Sequence, residues 1–502
     1  MSTRTRIRDS HISAVRPLVT PARVRSKLPL GAKHRHTVLA ARTAAAGVLA
    51  GDDDRLLVVV GPCSVHDAVA ALDYARRLGP VARRLAGELL VVMRVYFEKP
   101  RSSHGWRGFV NDPHLDGSYA VNDGVLAARE LLLQILDEGV AVACEFLDPI
   151  MPQYIADAVS WGAIGARTAH SQVHRQLASG LSMPVGFKNS TEGDVQGAVD
   201  AVAVAARPQV FPGVTYGGRA AVFSTSGNPD CHVVLRGTTS GPNYDESTVT
   251  ATLERLRRAG LPAHLLVDAS HGNSGKDHRR QPVVAAEVAR RVAGGDRGIV
   301  GLMLESFLVE GRQELELGHA SKLVYGQSIT DACMGWDTTV EVLGVLAGAV
   351  ASRRHGAALV DPADAPADRA VATRAAPAVS AARGGADRIP SVAEQDPEAS
   401  IVGLRREVDH IDAGIVRLLA ERAAAIAGIA AAKGQRAANI RDLDREQVVL
   451  DQVEVAAEIL GVPGHFVRPI FETIVEQSVA LQNALRTPTD HPPQLTSGSH
   501  QG

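Results

Sequence analysis

The chain has 502 residues, of which 45% are hydrophobic and 22% charged, and its formal net charge is −2. This near-neutral charge and an aromatic content of 4% argue against a nucleic-acid partner and a membrane-interface surface, and no stretch approaches the ~18 consecutive apolar residues of a membrane span. The four cysteines are far apart and form no C-x-x-C pair, so we expect a protein of the reducing cytoplasm.

The first predicted elements are an extension and a helix. Residues 1–33 are rich in Arg and Pro and are typical of an extension, and a short helix is predicted to follow and to end near Gly51. We therefore assign residues 1–50 to an N-terminal extension and helix.

Eight short apolar runs rich in β-branched residues follow, and each ends in polar residues. They are 57–62, 89–96, 140–146, 163–167, 184–188, 231–236, 263–268 and 298–304. Most precede a helical pattern, and strands buried on both faces that alternate with helices indicate a parallel sheet. Eight such units predict an α/β fold, a closed (β/α)8 TIM barrel over residues 51–352, with an open doubly wound sheet as the alternative. In the connection 189–230, the alternation in FPGVTYGGRAAVFSTSGN predicts an added hairpin.

The last part of the chain is predicted to be a linker and a helical domain. Ala, Pro, Asp and Arg dominate residues 356–388, and we place a flexible linker at 353–397. Beyond it, apolar residues recur at helical spacing and strand signals are absent. Residues 398–487 are therefore predicted to form a small all-α domain of three helices, 398–434, 442–459 and 464–486, followed by a disordered tail at 488–502.

The carboxyl ends of barrel strands, where barrel chemistry gathers, carry a candidate metal site. Cys63 follows the first strand, His271 follows the seventh, Glu305 ends the eighth, and Asp331 lies in the connection beyond it. Because the first and eighth strands of a closed barrel are neighbours, the four side chains fall on one arc of the rim. A thiolate, an imidazole and two carboxylates suit one divalent metal ion, Mn, Fe, Co or Zn. The alternative is a buried thiol, a capping His and two solvated carboxylates.

The opposite arc of the predicted rim is cationic. Five basic residues end or follow largely apolar strands: Arg94, Lys99, Arg167, Lys188 and Arg236. Buried cations need anionic partners, so we expect small, anionic, phosphorylated substrates. A salt bridge to a neighbouring carboxylate, such as Glu145 at the third strand, would explain one of these cations but not the set.

The helical domain also carries polar groups on its apolar faces. Arg422 and Lys433 fall within the apolar stripe of the first helix, whereas Arg405 lies about 100° away on the helical wheel and could reach a neighbouring subunit's site. The second and third helices contribute further polar residues: Asp442, Arg445, Glu446, Ser478 and Gln482. Two cations on a buried face indicate an anionic ligand, with helix capping, surface pairs and satisfied core polar groups as the alternative.

Several segments of the barrel resemble the class I alpha form of 3-deoxy-D-arabino-heptulosonate-7-phosphate (DAHP) synthase, the feedback-regulated enzyme that opens the shikimate pathway. They are GPCSVHD (61–67), MRVYFEKPRSS (93–103), GWRGFVNDPH (105–114), GAIGARTAHSQ (162–172), PVGFKNS (184–190), HVVLRG (232–237), DASHGNSGK (268–276), LES (304–306) and YGQSITDACMGW (325–336). The resemblance covers about residues 15–350.

This resemblance implies a role for each candidate residue. The four ligands named above would hold the metal, and the five cations would hold phosphoenolpyruvate. Arg101 and Ser102 would meet erythrose 4-phosphate, and Glu145 is included with the substrate-binding residues. The family commonly has Thr where Ser102 stands, and Ser keeps the hydroxyl.

The mechanism that the resemblance implies is an aldol-like condensation without a covalent enzyme intermediate. The metal acts as a Lewis acid on the aldehyde, C3 of phosphoenolpyruvate attacks, and water adds at C2 before phosphate leaves. Lys188 is a candidate proton donor; the rival interpretation makes it the Schiff-base lysine of a metal-free aldolase. A related octulosonate-phosphate synthase is a further alternative, which the stretch from Lys99 to Ser102 disfavours.

The family is inhibited by an aromatic amino acid at a site remote from the metal. By resemblance this site is formed by the helix around Pro152 and Gln153, the turn 180–182 and the hairpin near Phe211. Gly213 and the stretch Tyr216-Gly217 depart from the better-known pattern, so inhibition is expected without a named effector.

Residues 398–486 resemble the all-helical AroQ-type chorismate mutase through LRREVDHID, LLAERAAAI, IRDLDRE and EQSVALQ. The likeness implies that Arg405 of the partner subunit, Arg422 and Arg445 bind the two carboxylates of chorismate. Glu446 would contact the hydroxyl, Lys433 and Gln482 would stabilise charge on the ether oxygen, and Asp442 and Ser478 would complete the pocket. A Claisen rearrangement needs only a compact conformer and donors aimed at developing charge.

The sequence thus predicts a bifunctional enzyme in which a metal-dependent DAHP synthase barrel is joined to a chorismate mutase. The expected substrates are phosphoenolpyruvate, erythrose 4-phosphate and chorismate. The alternative treats the helical domain as a sensor of chorismate or prephenate that regulates the barrel. Both families are oligomeric, so a homo-oligomer, either a dimer or a tetramer, is expected.

Overall fold

The computed structural model describes most of the first part of the chain and separate pieces of the C-terminal part. The described residues are 9, 11–100, 105–358, 412, 415–416, 418–420, 422–427, 446–451, 453–454 and 464–484. The chain divides into two compact units, Met1–Ala370 and Val371–Gly502, and each is described by itself. The tail 488–502 and the predicted linker beyond residue 358 lie outside the described residues. The domain limits stay predictions.

Eight of the strands in the described part form a closed barrel. In chain order the strands are β1 Leu56–Gly61, β2 Leu89–Arg94, β3 Val142–Glu145, β4 Trp161–Ile164, β5 Val185–Lys188, β6 Val210–Val214, β7 Ala220–Ser224, β8 Cys231–Leu235, β9 Leu265–Asp268, β10 Ile299–Glu305, β11 Val309–Arg312 and β12 Gln327–Ser328. The barrel order is β1-β2-β3-β4-β5-β8-β9-β10, with β10 pairing back onto β1 and every neighbouring pair parallel. The predicted closed barrel is confirmed.

The barrel strands are apolar along their length because both of their faces are buried. In β1, Leu57 and Val59 belong to the core inside the barrel, whereas Val58 and Val60 belong to the core between strands and helices. This alternation is expected for a sheet closed on itself, and it explains why the runs lack the polar alternation of a half-exposed strand.

Helices alternate with the barrel strands. In chain order they are α1 Pro21–Lys27, α2 Ala32–Ala50, α3 Ala68–Arg84, α4 Val121–Asp137, α5 Pro152–Ile155, α6 Gln172–Ser179, α7 Gln196–Ala205, α8 Glu246–Arg258, α9 His271–Ser274, α10 Gln281–Ala293, α11 Trp336–Ala358 and, in the second unit, α12 Gly464–Ala484. Helix α11 continues past residue 352, so the first residues of the predicted linker are helical. Among the described residues, no helix has the length and apolar character needed to cross a membrane.

In the described part of the chain before β1 there are two helices, where the sequence predicted an extension and one short helix. Helix α1 lies inside the predicted extension, and Thr20 caps it by accepting the N–H of Arg23 at 3.3 Å, with Pro21 at its first position. Helix α2 is 19 residues long, and its apolar face joins the core inside the barrel. The Leu49 carbonyl lies 2.7 Å from Nδ1 of His264, just before β9, so α2 covers the amino end of the barrel.

The predicted hairpin is confirmed. Strands β6 and β7 pair antiparallel between α7 and β8. The rings of Phe211 and Phe223, one on each strand, stack with centroids 6.0 Å apart.

The described residues of the second unit are helical, as predicted. Helix α12 corresponds to the third predicted helix, and the described residues at 412–427 and 446–454 fall in the first and second. Val475, Ser478 and Gln482 are buried at spacings of three and four, which defines the inward face of α12.

Candidate active site

Three of the four predicted metal ligands converge at the carboxyl end of the barrel. Cys63 follows β1, Glu305 is the last residue of β10, and Asp331 follows β12. The Cys63 sulfur and one carboxylate oxygen from each acid all lie within 4.8 Å of one another. Cys63 and Glu305 are buried and Asp331 is half-buried, so this donor set is largely shielded from water.

The fourth predicted ligand, His271, lies beside this cluster, but it is not within 4.8 Å of all three of the other ligand atoms. Its Nε2 atom is 3.6 Å from Oε1 of Glu305, and its Nδ1 atom is 2.9 Å from Oδ2 of Asp268. His271 is the first residue of α9 and has a φ of +53°, a left-handed conformation that costs free energy in any residue except glycine. Asp268 therefore fixes Nδ1 and leaves Nε2 facing the cluster.

The ammonium group of Lys99 lies against two of the candidate ligands. Its Nζ donates to Sγ of Cys63 at 2.7 Å and to Oδ2 of Asp331 at 3.0 Å. The charge of Lys99 lowers the pKa of Asp331, whereas burial raises the pKa of the Cys63 thiol to about 12. A divalent cation fits this donor set, because it suits mixed sulfur, nitrogen and oxygen ligands and favours the thiolate form of Cys63.

Arg94, the last residue of β2, is fully buried and held on several sides. Its guanidinium donates to Oε1 of Glu305 at 2.8 Å, to the Pro62 carbonyl at 3.1 Å and to Sδ of Met303 at 2.9 Å. The ring of Tyr96 lies 3.8 Å from its Cζ atom. Burial opposes the charge, but Glu305 together with Tyr96, Cys63 and Asp268 outweighs burial, and the pKa of Arg94 is raised. Arg94 is therefore a rigid cation beside the metal candidate, which is the cluster of Cys63, Glu305 and Asp331.

A second buried ion pair joins Lys188, at the end of β5, to Asp268, at the end of β9. The Nζ to Oδ2 distance is 2.8 Å. Burial alone would raise the pKa of Asp268, but Lys188 and His271 hold it well below its usual range. The sequence reasoning did not select Asp268, although it opens the quoted DASHGNSGK segment at a strand end.

The predicted cations line one cavity of about 240 Å³ at this end of the barrel. The charged and titratable residues that line it are Arg94, Lys99, Glu145, Arg167, Lys188, Arg236, His271, Lys276 and Asp331. Burial lowers the pKa of Arg236, and the nearby Arg167 acts in the same direction. The cavity therefore combines the metal candidate with a wall of cations that favours anionic ligands. Arg101 and Ser102 lie outside the described residues.

A larger cavity, of about 530 Å³, lies elsewhere in the first unit. Its lining includes Pro152 and Gln153 on α5, the turn 180–182, and Phe211 and Gly213 on the hairpin, which are the residues that the resemblance names for an inhibitor site. Arg42 and Asp157 add charge to the apolar wall.

In the second unit, the structure brings Arg422 to Ser478. The guanidinium of Arg422 donates to Oγ of Ser478 and to the Ile474 carbonyl at 3.5 Å, and burial lowers its pKa. Gln482 lies one turn beyond Ser478 and is buried, and Glu446 is half-buried on its own helix. The other predicted residues of this site lie outside the described residues: Arg405, Lys433, Asp442 and Arg445.

Both resemblances are confirmed by comparison with known proteins. Residues 30–344 match the model of the DAHP synthetase I family, and residues 404–483 match that of chorismate mutase type II. The chain is 52% identical over 346 residues to the Phe-sensitive phospho-2-dehydro-3-deoxyheptonate aldolase of Escherichia coli (strain K12), covering 69% of this chain and 98% of the relative. It is 47% identical over 337 residues to the Tyr-sensitive aldolase of that strain, covering 67% of this chain and 94% of the relative.

A solved structure agrees with these relatives. The phospho-2-dehydro-3-deoxyheptonate aldolase of Francisella tularensis SCHU S4 superposes with a TM-score of 0.67 at 46% identity, over 68% of this chain and 99% of that chain.

Proposed function

The chain belongs to the DAHP synthetase I family and carries a chorismate mutase domain at its C-terminal end, and from this we propose that it catalyses two reactions. In the barrel, phosphoenolpyruvate and D-erythrose 4-phosphate condense to 3-deoxy-D-arabino-heptulosonate 7-phosphate and phosphate. In the helical domain, chorismate rearranges to prephenate. The observation that carries the first reaction is a cavity in which Asp331, a member of the Cys63, Glu305 and Asp331 donor set, lines the same space as a wall of cations.

We propose that Cys63, His271, Glu305 and Asp331 hold one divalent ion, Mn, Fe, Co or Zn. When bound, the ion supplies Lewis-acid polarisation of the aldehyde. Asp268 keeps Nε2 of His271 directed at the ligand cluster, since its carboxylate engages Nδ1.

The cations bind phosphoenolpyruvate and hold its C3 atom against the aldehyde. Arg167 and Arg236 supply paired positive charge for a phosphate, and Lys188 and Arg94 are fixed by their ion pairs beside it. Lys99, the fifth of these cations, lines the same cavity, as does Glu145. Arg101 and Ser102 meet erythrose 4-phosphate. The new bond joins C3 to the aldehyde carbon, water adds at C2, and phosphate leaves from C2 with its bonding electrons.

Lys188 is the proposed proton donor to the reacting atoms. A Schiff-base role would require Lys188 to leave its buried ion pair with Asp268 and attack as a free amine, at a large desolvation cost. The metal-dependent condensation needs no such step.

The mutase requires no acid or base, only fixed charges around a compact conformer. Arg422, Arg445 and Arg405 of the partner subunit bind the two carboxylates, and Lys433 and Gln482 stabilise the ether oxygen. Glu446 contacts the hydroxyl, and Asp442 and Ser478 complete the pocket. The contact between Arg422 and Ser478 supports this arrangement. A site that uses Arg405 of the partner subunit requires a homo-oligomer, as a dimer or a tetramer.

We also propose that an aromatic amino acid inhibits the barrel by binding the cavity of about 530 Å³ between α5, α6 and the hairpin. Stacked Phe211 and Phe223 supply an apolar wall for a ring, and Arg42 and Asp157 supply charges that suit an amino acid's termini.

Two assays on the purified chain test this account. Phosphoenolpyruvate should disappear only when erythrose 4-phosphate is present, and D-arabinose 5-phosphate should not replace it. Consumption with the five-carbon sugar alone would favour the octulosonate-phosphate alternative. Chorismate should yield prephenate, and Lys433→Ala should abolish that step while leaving the condensation intact. Absence of prephenate formation in the unaltered protein would favour the sensor alternative.

A further inference from the structure

The cations that line the barrel cavity divide into two groups by their ion pairs. Arg94 pairs with Glu305 at 2.8 Å, Lys99 with Asp331 at 3.0 Å, and Lys188 with Asp268 at 2.8 Å. Within the described part of the chain, Arg167, Arg236 and Lys276 have no carboxylate within 4.0 Å. Uncompensated charge in this cavity is therefore carried by these three residues.

Two of the three unpaired cations lie near each other, whereas Lys276 lies near the metal candidate. Arg167 contributes to the lowered pKa of Arg236, so these two guanidinium groups are near each other. The charge of Lys276 instead helps to lower the pKa of Asp331, so Lys276 is near that carboxylate. It also lines the small recess beside the metal candidate, together with His271 and Glu305. The cavity thus has unpaired positive charge at two places: Arg167 with Arg236 at one, and Lys276 beside the metal candidate at the other.

The backbone holds Lys276 in a conformation that a lysine adopts only at a cost. Gly275 has a φ of +64° and Lys276 a φ of +63°, so two consecutive left-handed residues end α9. The Lys276 N–H donates to the His271 carbonyl at 2.7 Å, which ties its position to a candidate ligand. The side chain is exposed rather than packed in the core. Backbone strain of this kind clusters at functional sites, so it makes the position of Lys276 a candidate for a binding role.

We propose that Lys276 binds a phosphate group in this cavity, on the side of the metal candidate. The inference rests on the proposed function, whose two substrates each carry one phosphate, and one of these phosphates leaves as the inorganic ion. The neighbouring Arg167 and Arg236 suit one phosphate, and Lys276 is the cation for the other phosphate or for the departing one. An ammonium group at a cavity mouth forms a charge-assisted hydrogen bond with such an anion.

The test compares Lys276→Gln and Lys276→Arg with Arg279→Gln. Gln carries the same left-handed strain as Lys, so its effect reports the lost charge. Arg279 is exposed, lies three positions along the same segment and lines neither cavity, which makes it a matched control. Titration calorimetry with inorganic phosphate alone gives its Kd for each variant. Lys276→Gln should weaken phosphate binding by about tenfold, Lys276→Arg should retain it, and Arg279→Gln should match the unaltered protein.

Steady-state kinetics then identify the source of the phosphate. In Lys276→Gln, a KM that rises about tenfold for one phosphorylated substrate alone identifies that substrate, and relief of product inhibition alone identifies the released ion. The difference from the unaltered protein should shrink at high salt. Unchanged phosphate affinity in Lys276→Gln would overturn the proposal. If the unaltered protein consumes no phosphoenolpyruvate, the proposed function fails while the phosphate titration still decides the role of Lys276.

Discussion

Asp268 and Lys188 form an ion pair across the barrel, with 2.8 Å between Oδ2 and Nζ and side chains that are 0% and 5% exposed. The same carboxylate oxygen lies 2.9 Å from Nδ1 of His271. One buried acid therefore positions both the proposed proton donor and a proposed metal ligand.

Replacing Asp268 by Asn should impair both roles at nearly constant shape. Removal of one partner of a buried pair leaves the other charge uncompensated, and loss of an outer carboxylate weakens a histidine ligand. We expect metal affinity to fall about 10–100-fold and kcat to fall on the order of 100-fold. Metal titration and steady-state kinetics measure these changes. Asp277→Asn, at an acid that is 51% exposed, is the control. Equal losses in both variants would contradict the assignment.

Gly213 should control inhibition without affecting catalysis. A Cβ atom at this position would lie 2.9 Å from two ring carbons of Phe223, so Ala must displace the ring that stacks on Phe211. Gly213→Ala should shift the concentration of aromatic amino acid that gives half-inhibition by about tenfold, with kcat within about twofold. In Gly217→Ala the new atom would meet only Oγ1 of Thr215, at 3.8 Å, and inhibition should be unchanged. Identical inhibition curves for both variants would count against the cavity as the inhibitor site.

His232 should make the barrel sensitive to acid. Burial lowers its pKa to about 4, and its neutral ring accepts the indole N–H of Trp161 at 3.3 Å. The unfolded chain, with a histidine pKa near 6.5, binds the proton more readily, so stability is lost as pH falls from about 6.5 to 4. This group should remove about 2 kcal/mol between pH 7 and pH 5.

Urea unfolding at the two pH values tests this expectation. The chain's three Trp residues, at positions 106, 161 and 336, all belong to the first unit, so their fluorescence reports on the barrel. In His232→Gln the loss of stability between pH 7 and pH 5 should be smaller by about 2 kcal/mol. An unchanged pH dependence would show that His232 does not contribute.

Arg422 should matter for one reaction only. Lysine cannot reproduce the fork of guanidinium donors that meets a carboxylate and Ser478, so Arg422→Lys should lower prephenate formation on the order of 100-fold. Consumption of phosphoenolpyruvate should be unaffected. Arg468→Lys, at a half-buried ion pair with Glu454, keeps the charge of that pair and should leave both reactions near their original rates. Loss of both activities in Arg422→Lys would argue against separate sites.

The barrel could be predicted from the sequence because each strand's own residues show that both of its faces are buried. The run LLVVVG of β1 needs no partner to reveal that both of its faces are buried. Helix α1 was missed because its Arg and Pro content is typical of an extension, although Thr20 followed by Pro21 is a start signal.

The candidate site was predictable where closure of the barrel decides proximity. Cys63 and Glu305 are distant in sequence, but a closed sheet makes β1 and β10 neighbours. Asp268 and Lys276 were missed for a different reason. The partner of Asp268 lies 80 positions away on a non-adjacent strand, and the left-handed backbone of Lys276 follows no spacing rule.

The central claim is that a divalent ion held by Cys63, His271, Glu305 and Asp331 is required for the condensation. The direct measurement is phosphoenolpyruvate consumption with erythrose 4-phosphate before and after EDTA treatment, with metal content determined for each sample. The account predicts that activity disappears with the metal and returns when Mn, Fe, Co or Zn is added, and that Cys63→Ala neither binds the ion tightly nor recovers. Full turnover by protein shown to be metal-free would contradict it and would favour a Schiff base at Lys188.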